Sequence, residues 1–220
     1  MPGRYRDRHP WPFYALRITT PRLELLVPDD EDLVELFEAA RAGIHPADEM
    51  PFGIPWTDGI EEPGALERFV SFYWTMRGAL TPQAWSLPFA VVSEGRIIGT
   101  QEVKAEDFAG SRSVSTGSWL TVSAQGRGLG VEMRAAVLHL AFAGLGALEA
   151  QTSAWHDNPA SQRVSLRLGY EHEGQQLLAR RGEPTAHLRF RLTRDAWQRN
   201  HFDGIALRAL EPCLTLLGAA

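Results

Sequence analysis

A single cysteine, Cys213, stands in 220 residues. It allows no intrachain disulfide and no thiolate metal cluster, and no metal site is expected. Long apolar runs are also missing: none reaches the ~18 residues that a membrane span requires. Met1-Pro2-Gly3-Arg4-Tyr5 lacks the apolar core of a secretory signal, which leaves the cytoplasm as the default compartment. An excess of positive charge is absent too. Twenty-two Lys and Arg against 27 Asp and Glu leave a net charge of −5. That is the wrong sign for a general nucleic-acid binder, whose affinity comes from neutralising phosphates. What is present suits a soluble globular chain of about one domain, with 44% hydrophobic and 22% charged residues.

Residues 1–15 carry Arg4, Arg6, Arg8 and three prolines and read as an extended arm. Residues 16–200 read as one domain, and residues 201–220 as a mildly apolar tail. Within the domain, Arg22–Val27 is a strand. Asp29 or Asp30 caps a helix with Leu33, Leu36, Phe37 and Ala40 on one face, ended by Gly43. Residues 44–60, with Pro46, Pro51 and Pro55, form a long loop. A second helix over about 62–80 aligns Phe69, Phe72, Tyr73 and Met76 as a packing stripe. Strands at 87–92 and 96–103 are joined through Glu94-Gly95, and a third strand covers 113–122. Residues 129–144 form a buried helix with Val131, Ala135, Leu138, Phe142 and Leu145 on one face. A strand at 147–155 is followed by a helix that Asn158-Pro159 starts and Gly169 stops. Strands at about 170–179 and 184–192 close the series; Leu188, Phe190 and Leu192 alternate there with His187, Arg189 and Arg191. This order predicts an α/β (α+β) domain: a mixed central sheet of about seven strands with helices on its faces.

The most informative stretch is Leu120-Thr121-Val122-Ser123-Ala124-Gln125-Gly126-Arg127-Gly128-Leu129-Gly130. A strand passes through a turn with three alternate glycines into a buried helix. Successive backbone N–H groups in such a turn converge on one point, and the helix N-terminus adds its own unpaired N–H groups and positive dipole end. A pyrophosphate suits it, and Arg127 can add a charged contact. There is no GxxxxGK[ST], and the spacing is GxGxG rather than GxGxxG, so neither a Walker loop nor a dinucleotide fingerprint is present. A lone turn of this kind also serves merely to join strand to helix.

The turn is not alone. Trp155-His156-Asp157-Asn158-Pro159-Ala160-Ser161 follows about thirty residues later, again where a strand enters a helix. Together the two segments resemble the GNAT N-acyltransferase superfamily. Gln125, Gly128 and Gly130 match its [Q/R]xxGx[G/A] loop. Asn158, Ser161 and the step Leu168-Gly169-Tyr170 resemble the RimJ/RimL-like branch of ribosomal-protein alanine acetyltransferases. The resemblance covers roughly residues 17–200. It implies a twisted, mostly antiparallel sheet with splayed strands at a coenzyme A site. It implies that backbone amides of Gly126, Arg127, Gly128, Leu129, Gly130 and Val131 hold the pyrophosphate, and that the strand through Leu120 and Val122 pairs with the pantetheine arm. It also implies that Asn158 bonds the arm and that Ser161 is a general acid at the thioester sulfur. The remaining implications are acetyl-CoA or succinyl-CoA as co-substrate, an amine acceptor (protein N-terminus, lysine or small molecule) and a homo-oligomer, with a dimer favoured. Residue by residue, Asn158 could equally be a plain N-cap and Ser161 a first-turn hydroxyl.

Acyl transfer needs a neutral amine. The thiol leaves with a pKa of ~8.5, whereas a lysine holds its proton to ~10.4 and an α-amino group to ~8. A base therefore matters more than an acid. The branch can place a glutamate just before the glycine loop; here Val122-Ser123 stand there. Glu102, Asp107 and His156 are the available bases, and Asp107, in the turn Asp107-Phe108-Ala109-Gly110, is favoured. A strand amide near Leu120 or Thr121 would meet the oxyanion. The acceptor site is expected between the 44–60 loop, the second helix and the last hairpin, with His45, Asp48, Glu49, Trp56, Trp119 and Trp155 as wall candidates. Met50-Pro51-Phe52-Gly53-Ile54-Pro55-Trp56-Thr57-Asp58 and Thr116-Gly117-Ser118-Trp119-Leu120 resemble an actinobacterial sub-branch that uses succinyl-CoA. A succinyl carboxylate requires a cation or an amide nest near the thioester, and the sequence marks none. Two rival readings stand beside this one. A CoA-binding sensor on the same fold is motivated by the missing glutamate. An aminoglycoside-type acyltransferase is motivated by the acidic group Asp48, Glu49, Asp58, Glu61 and Glu62.

Overall fold

Leu188, Phe190 and Leu192 alternate with exposed Arg189 and Arg191 because one face of their strand lies on the core. The same period-two logic, repeated along the chain, builds one sheet. The structure is a computed structural model that describes Arg6, residues 9–200 and residues 202–220. Its strands are β1 (Arg17–Thr19), β2 (Glu24–Leu26), β3 (Ala84–Ser93), β4 (Arg96–Glu106), β5 (Ser113–Leu120), β6 (Glu149–Trp155), β7 (Glu171–Arg180), β8 (Glu183–Thr193) and β9 (Ala206–Arg208). They lie in the order β7-β8-β6-β5-β4-β3-β2-β1-β9. Every neighbouring pair is antiparallel except β5–β6. Seven strands match the expected ones. The other two, β1 and β9, have three residues each, too few for alternation to show.

Helices α1 (Asp30–Arg41) and α2 (Ala65–Gly78) cover one face. Leu33, Leu36, Ala40 and Tyr73 pack there on Ala90, Ile97 and Trp119. The other face is covered by α4 (Leu129–His139), which follows the one-turn α3 (Phe108–Ser111) in the chain. Leu87, Phe89, Val91, Val103 and Leu120 point to that side, as alternation demands. Helix α4 runs on through a wide turn, Leu140–Gly144, in which Leu145 N donates to Leu140 O at 2.9 Å. Then come α5 (Pro159–Arg167) and α6 (Arg194–Arg199). Within α2, Phe72 departs from the expected packing stripe: it is 56% exposed, while Tyr73 beside it is buried. Among the described residues no helix is long and apolar enough to cross a membrane.

Residues 1–5, 7 and 8 of the expected arm lie outside the described residues, and from residue 9 the chain joins the body, as does the tail. Phe13 and Tyr14 are buried, and β9 adds to the outer edge of β1. Leu217 and Cys213 are fully buried, and Trp85 Nε1 donates to Leu217 O at 3.0 Å. Burial pushes the Cys213 thiol up to about 12, so it is an inert core group. Gly144 leaves room for the tail: a Cβ there would lie 2.7 Å from Leu210 Cδ2.

Asp29 caps α1 through a reciprocal pair, Asp32 N to Asp29 Oδ1 at 3.0 Å and Asp29 N to Asp32 Oδ2 at 2.9 Å. Buried Arg6 bridges both carboxylates and donates to Val27 O at 3.0 Å. Asp29→Ala therefore removes a cap and half the counter-charge of a buried guanidinium. Urea unfolding is expected to show a loss of about 2–3 kcal/mol. A loss below about 0.5 kcal/mol would show that neither the cap nor the Asp29 arm of the bridge stabilises the fold.

Candidate active site

Strands β5 and β6 begin as neighbours and then separate. Only Ser113–Ser115 and Glu149–Gln151 are paired. Beyond them Thr152 Oγ1 donates to Thr116 O at 3.1 Å, and among the described residues no further direct hydrogen bond joins the two strands; Arg134 bridges them from α4, to Thr152 Oγ1 at 3.2 Å and Ser118 Oγ at 3.1 Å. Strand β5 stays with β4 as far as Leu120, and β6 stays with β8 as far as Trp155. A V-shaped gap results, and it opens into a cleft of about 1460 Å³. The facing edges of Thr116–Leu120 and Thr152–Trp155 are left without a strand partner, which is an edge ready to accept an extended amide chain.

The glycine loop closes the wide end of the gap. Gly126 and Gly128 adopt φ of +71° and +79°, the left-handed region that glycine enters without strain, and Gly128 is the residue from which α4 starts. The loop is held by contacts far apart in sequence. Gln125 Nε2 donates to Ile44 O at 2.7 Å and to Leu120 O at 2.9 Å. Glu132, on the first turn of α4, is 1% exposed. It accepts from Thr20 Oγ1 at 2.6 Å, Arg22 N at 2.9 Å and Arg22 Nε at 2.6 Å. The Arg22 guanidinium then reaches Arg127 O at 3.0 Å. The helix N-terminus thus keeps its outward positive end, because the acid beneath it is already neutralised.

Leu120, Gln125, Gly126, Gly128, Gly130 and Val131 line the cleft, with Asn158 and Ser161 on its other wall. Val122, Arg127 and Leu129 do not. Leu129 is buried in the core, and Val122 and Arg127 face outward. Asn158 caps α5, accepting from Ser161 N through Oδ1 at 3.0 Å. Its carboxamide nitrogen and the Ser161 hydroxyl make no hydrogen bond to the described residues. Gly130 faces α5, where a Cβ would make an ordinary contact with Val164 Cγ2 at 3.5 Å.

The favoured base is misplaced. Asp107 sits in the β4–β5 turn, at the closed end of the strand pair, and does not line the cleft. Its φ of +46° and the packing of its carboxylate on Gly110 serve the turn. His156 is exposed and also outside the cleft. Glu102 is the candidate that reaches it. It stands across from Gly117 on β5, where a Cβ would lie 3.2 Å from Glu102 Oε2, so the missing side chain gives the carboxylate its space. Ser86 Oγ hydrogen-bonds Glu102 Oε1. Tyr73, pushed up mainly by burial and further by the Glu102 charge, stays a phenol nearby. By alternation Glu102, Gly117 and Trp119 share the α1–α2 face of the sheet.

Over that face the 44–60 loop folds back. His45 Nε2 meets Thr57 Oγ1 at 2.8 Å, and Phe52, Trp56 and Trp119 make a series of tilted ring contacts. The β7–β8 turn clamps the loop through Arg181–Asp58 at 2.5 Å and Arg180 to Met50 O at 3.4 Å. Arg180 also pairs with Asp157 at 2.6 Å and lies over the Trp155 ring. Helix α2, expected as a wall, contributes no lining residue. Burial lowers the pKa of His187, and its Nδ1 has no partner.

Residues 22–171 match the acetyltransferase (GNAT) domain family. Solved structures show the same fold at low identity. Mycobacterium smegmatis RimJ in complex with CoA-disulfide is 20% identical over 84% of this chain and 90% of that one, with a TM-score of 0.66. A GCN5-related N-acetyltransferase from Brucella melitensis is 17% identical over 83% and 80%, with a TM-score of 0.64. The microcin C7 self-immunity acetyltransferase MccE, in complex with acetyl-CoA and AMP, is 17% identical over 79% and 93%, with a TM-score of 0.61.

Gly128→Val places a branched side chain where a phosphate must approach the loop amides. The variant is expected to keep its far-ultraviolet circular dichroism and to lose CoA binding by at least 100-fold in calorimetry. Unchanged affinity in a folded variant would separate the glycine loop from the ligand.

Proposed function

Because the chain belongs to the GNAT acetyltransferase family, we propose that it is a CoA-dependent N-acyltransferase that moves an acetyl or succinyl group to a primary amine. The observation that carries this reading is one cleft holding both an anion-binding glycine loop and an unpaired strand edge. The first fits a pyrophosphate and the second fits the amides of a pantetheine arm. The Asn158 and Ser161 pair, with Leu168-Gly169-Tyr170, supports placement near the RimJ/RimL-like branch. The fold shared with RimJ agrees with it.

In this reading the amine enters from the α1–α2 face, between Trp119 and the 44–60 loop. Its nitrogen attacks the thioester carbonyl and the C–S bond breaks. Glu102 accepts the amine proton, directly or through water, and Ser161 supplies a proton to the leaving sulfur. A backbone N–H on the free edge of β5 meets the oxyanion. An α-amino group fits one carboxylate base better than a lysine, because its neutral fraction at pH 7 is larger by roughly 200-fold. The carboxylate at Glu102 favours an enzyme over a CoA-binding sensor. A polycationic acceptor is less favoured. Asp58, Glu61 and Glu62 are paired with Arg181, Arg41 and Arg68, which leaves Asp48 and Glu49 of that group on the cleft wall.

Glu102→Gln is expected to lower kcat/KM by about 100-fold and to remove the acidic limb of its pH profile, with CoA affinity retained. Asp107→Asn is expected to superimpose on the wild type. The reverse pattern would restore Asp107. Ser161→Ala is expected to lower kcat about 3- to 10-fold with the CoA Kd within twofold, since the thiol is a good leaving group. Equal losses in both would make the hydroxyl structural. A mass-spectrometric screen of amines with acetyl-CoA and succinyl-CoA tests the activity itself, and no product with any amine would favour the sensor.

A further inference from the structure

Side chains alternate along β3, β4 and β5, so Ser86, Glu102 and Gly117 stand side by side on the α1–α2 face of the sheet. Ser86 lies opposite Lys104 and therefore diagonal to Glu102. Its Oγ donates to Glu102 Oε1 from the β3 side, away from the gap. Among the described residues this is the one hydrogen bond that the carboxylate makes, and no ion pair holds it. On its other flank Oε2 points at Gly117, where a Cβ would lie 3.2 Å away. Gly117 stands beyond Ser115, the last β5 residue that pairs with β6, so it borders the gap itself. Its backbone is extended strand without a positive φ, which any residue adopts. Space, and not conformation, is what this glycine supplies.

We propose that Ser86 and Gly117 are the positioning residues of Glu102: Ser86 anchors Oε1, and Gly117 is a window in β5 through which Oε2 reaches the reacting amine in the gap. The proposal rests on the reading of Glu102 as the base given above. A glutamate on an open sheet face samples several rotamers, and a proton acceptor works best when held in one. The anchor pulls on the oxygen far from the gap and leaves the near one free. The amine proton passes to Oε2 as the N–C bond forms, and the Ser86 hydroxyl keeps its own proton because it donates throughout. Ser86 does not line the cleft, so it acts only through the carboxylate. A side chain at position 117 would stand between Oε2 and the gap.

Two measurements test this, and the first needs no acceptor. In protein isotope-labelled at the glutamate carboxyl carbons, the Glu102 resonance is the one missing from Glu102→Gln. Ser86→Ala is expected to move it. Saturating free CoA is expected to shift it in the wild type and much less in Gly117→Val, whose β-branched side chain suits a strand and fills the window. The second measurement is kinetic, with acetyl-CoA and the amine that the product screen identifies. Ser86→Ala is expected to lower kcat about 10-fold with KM and the CoA Kd within about twofold, and Ser86→Thr to restore most of the rate. Added to Glu102→Gln, Ser86→Ala is expected to cost less than about twofold more, because the hydroxyl has no base left to orient. Gly117→Val is expected to lower kcat by at least about 10-fold with the CoA Kd within about threefold. An unmoved resonance in folded Ser86→Ala, or an equal loss in the Glu102→Gln background, overturns the anchor. Wild-type kcat in folded Gly117→Val, or an undiminished response to CoA there, overturns the window; Gly117→Ala takes its place if that variant does not fold. Wild-type transfer by Glu102→Gln overturns the base reading instead, and the resonance still decides how the carboxylate is held.

Discussion

The parting of β5 from β6 after three residue pairs is the constraint on which the rest of the site depends. Each strand is fixed by its other neighbour, β5 by β4 and β6 by β8, so the gap does not close on itself. Backbone groups along the gap want partners. Among the described residues, Arg134 of α4 reaches the base of the gap and hydrogen-bonds hydroxyls on β5, β6 and α5. The sheet is therefore cut where a ligand can thread it, and both faces meet at one point. The glycine loop lies on one side of the cut and Glu102 with Trp119 on the other.

Charge is distributed to match. At the wide end the N-terminus of α4 would be weakened as an anion site by the acid on its own first turn. Arg22 and Thr20 take up that carboxylate from outside the helix. At the narrow end the buried cation is left with hydroxyls alone. The loop above the α1–α2 face is tied to the β7–β8 turn by the Arg181–Asp58 ion pair, and its Asp48 and Glu49 stay on the cleft wall.

Local signals were legible in the sequence and long-range ones were not. The alternation in β8, the Asp29 cap, the Asn158-Pro159 helix start and the glycine turn each depend on neighbours within a few residues. The burial of Phe13 and Tyr14, strand β9 and the Arg22–Glu132 contact join positions 100 or more residues apart, which no local pattern encodes. Phe72 fell on the expected stripe but outside the short contact that α2 makes. Asp107 and Glu102 are five residues apart at either end of the same strand segment, and only the register Glu102↔Gly117 separates cleft from turn. Arg134 did leave a trace. It falls at i, i+4, i+7 with Leu138 and Ala141, a charged residue inside an apolar stripe.

A crystal structure of the protein grown with CoA tests most directly whether the parted strands and the glycine loop form one ligand site. The expected density places the pyrophosphate on the backbone amides between Gly126 and Val131, with the pantetheine arm lying between β5 and β6 along Leu120–Thr116. CoA bound elsewhere on the molecule, or strands β5 and β6 closed against each other with CoA excluded at saturating concentration, would contradict it.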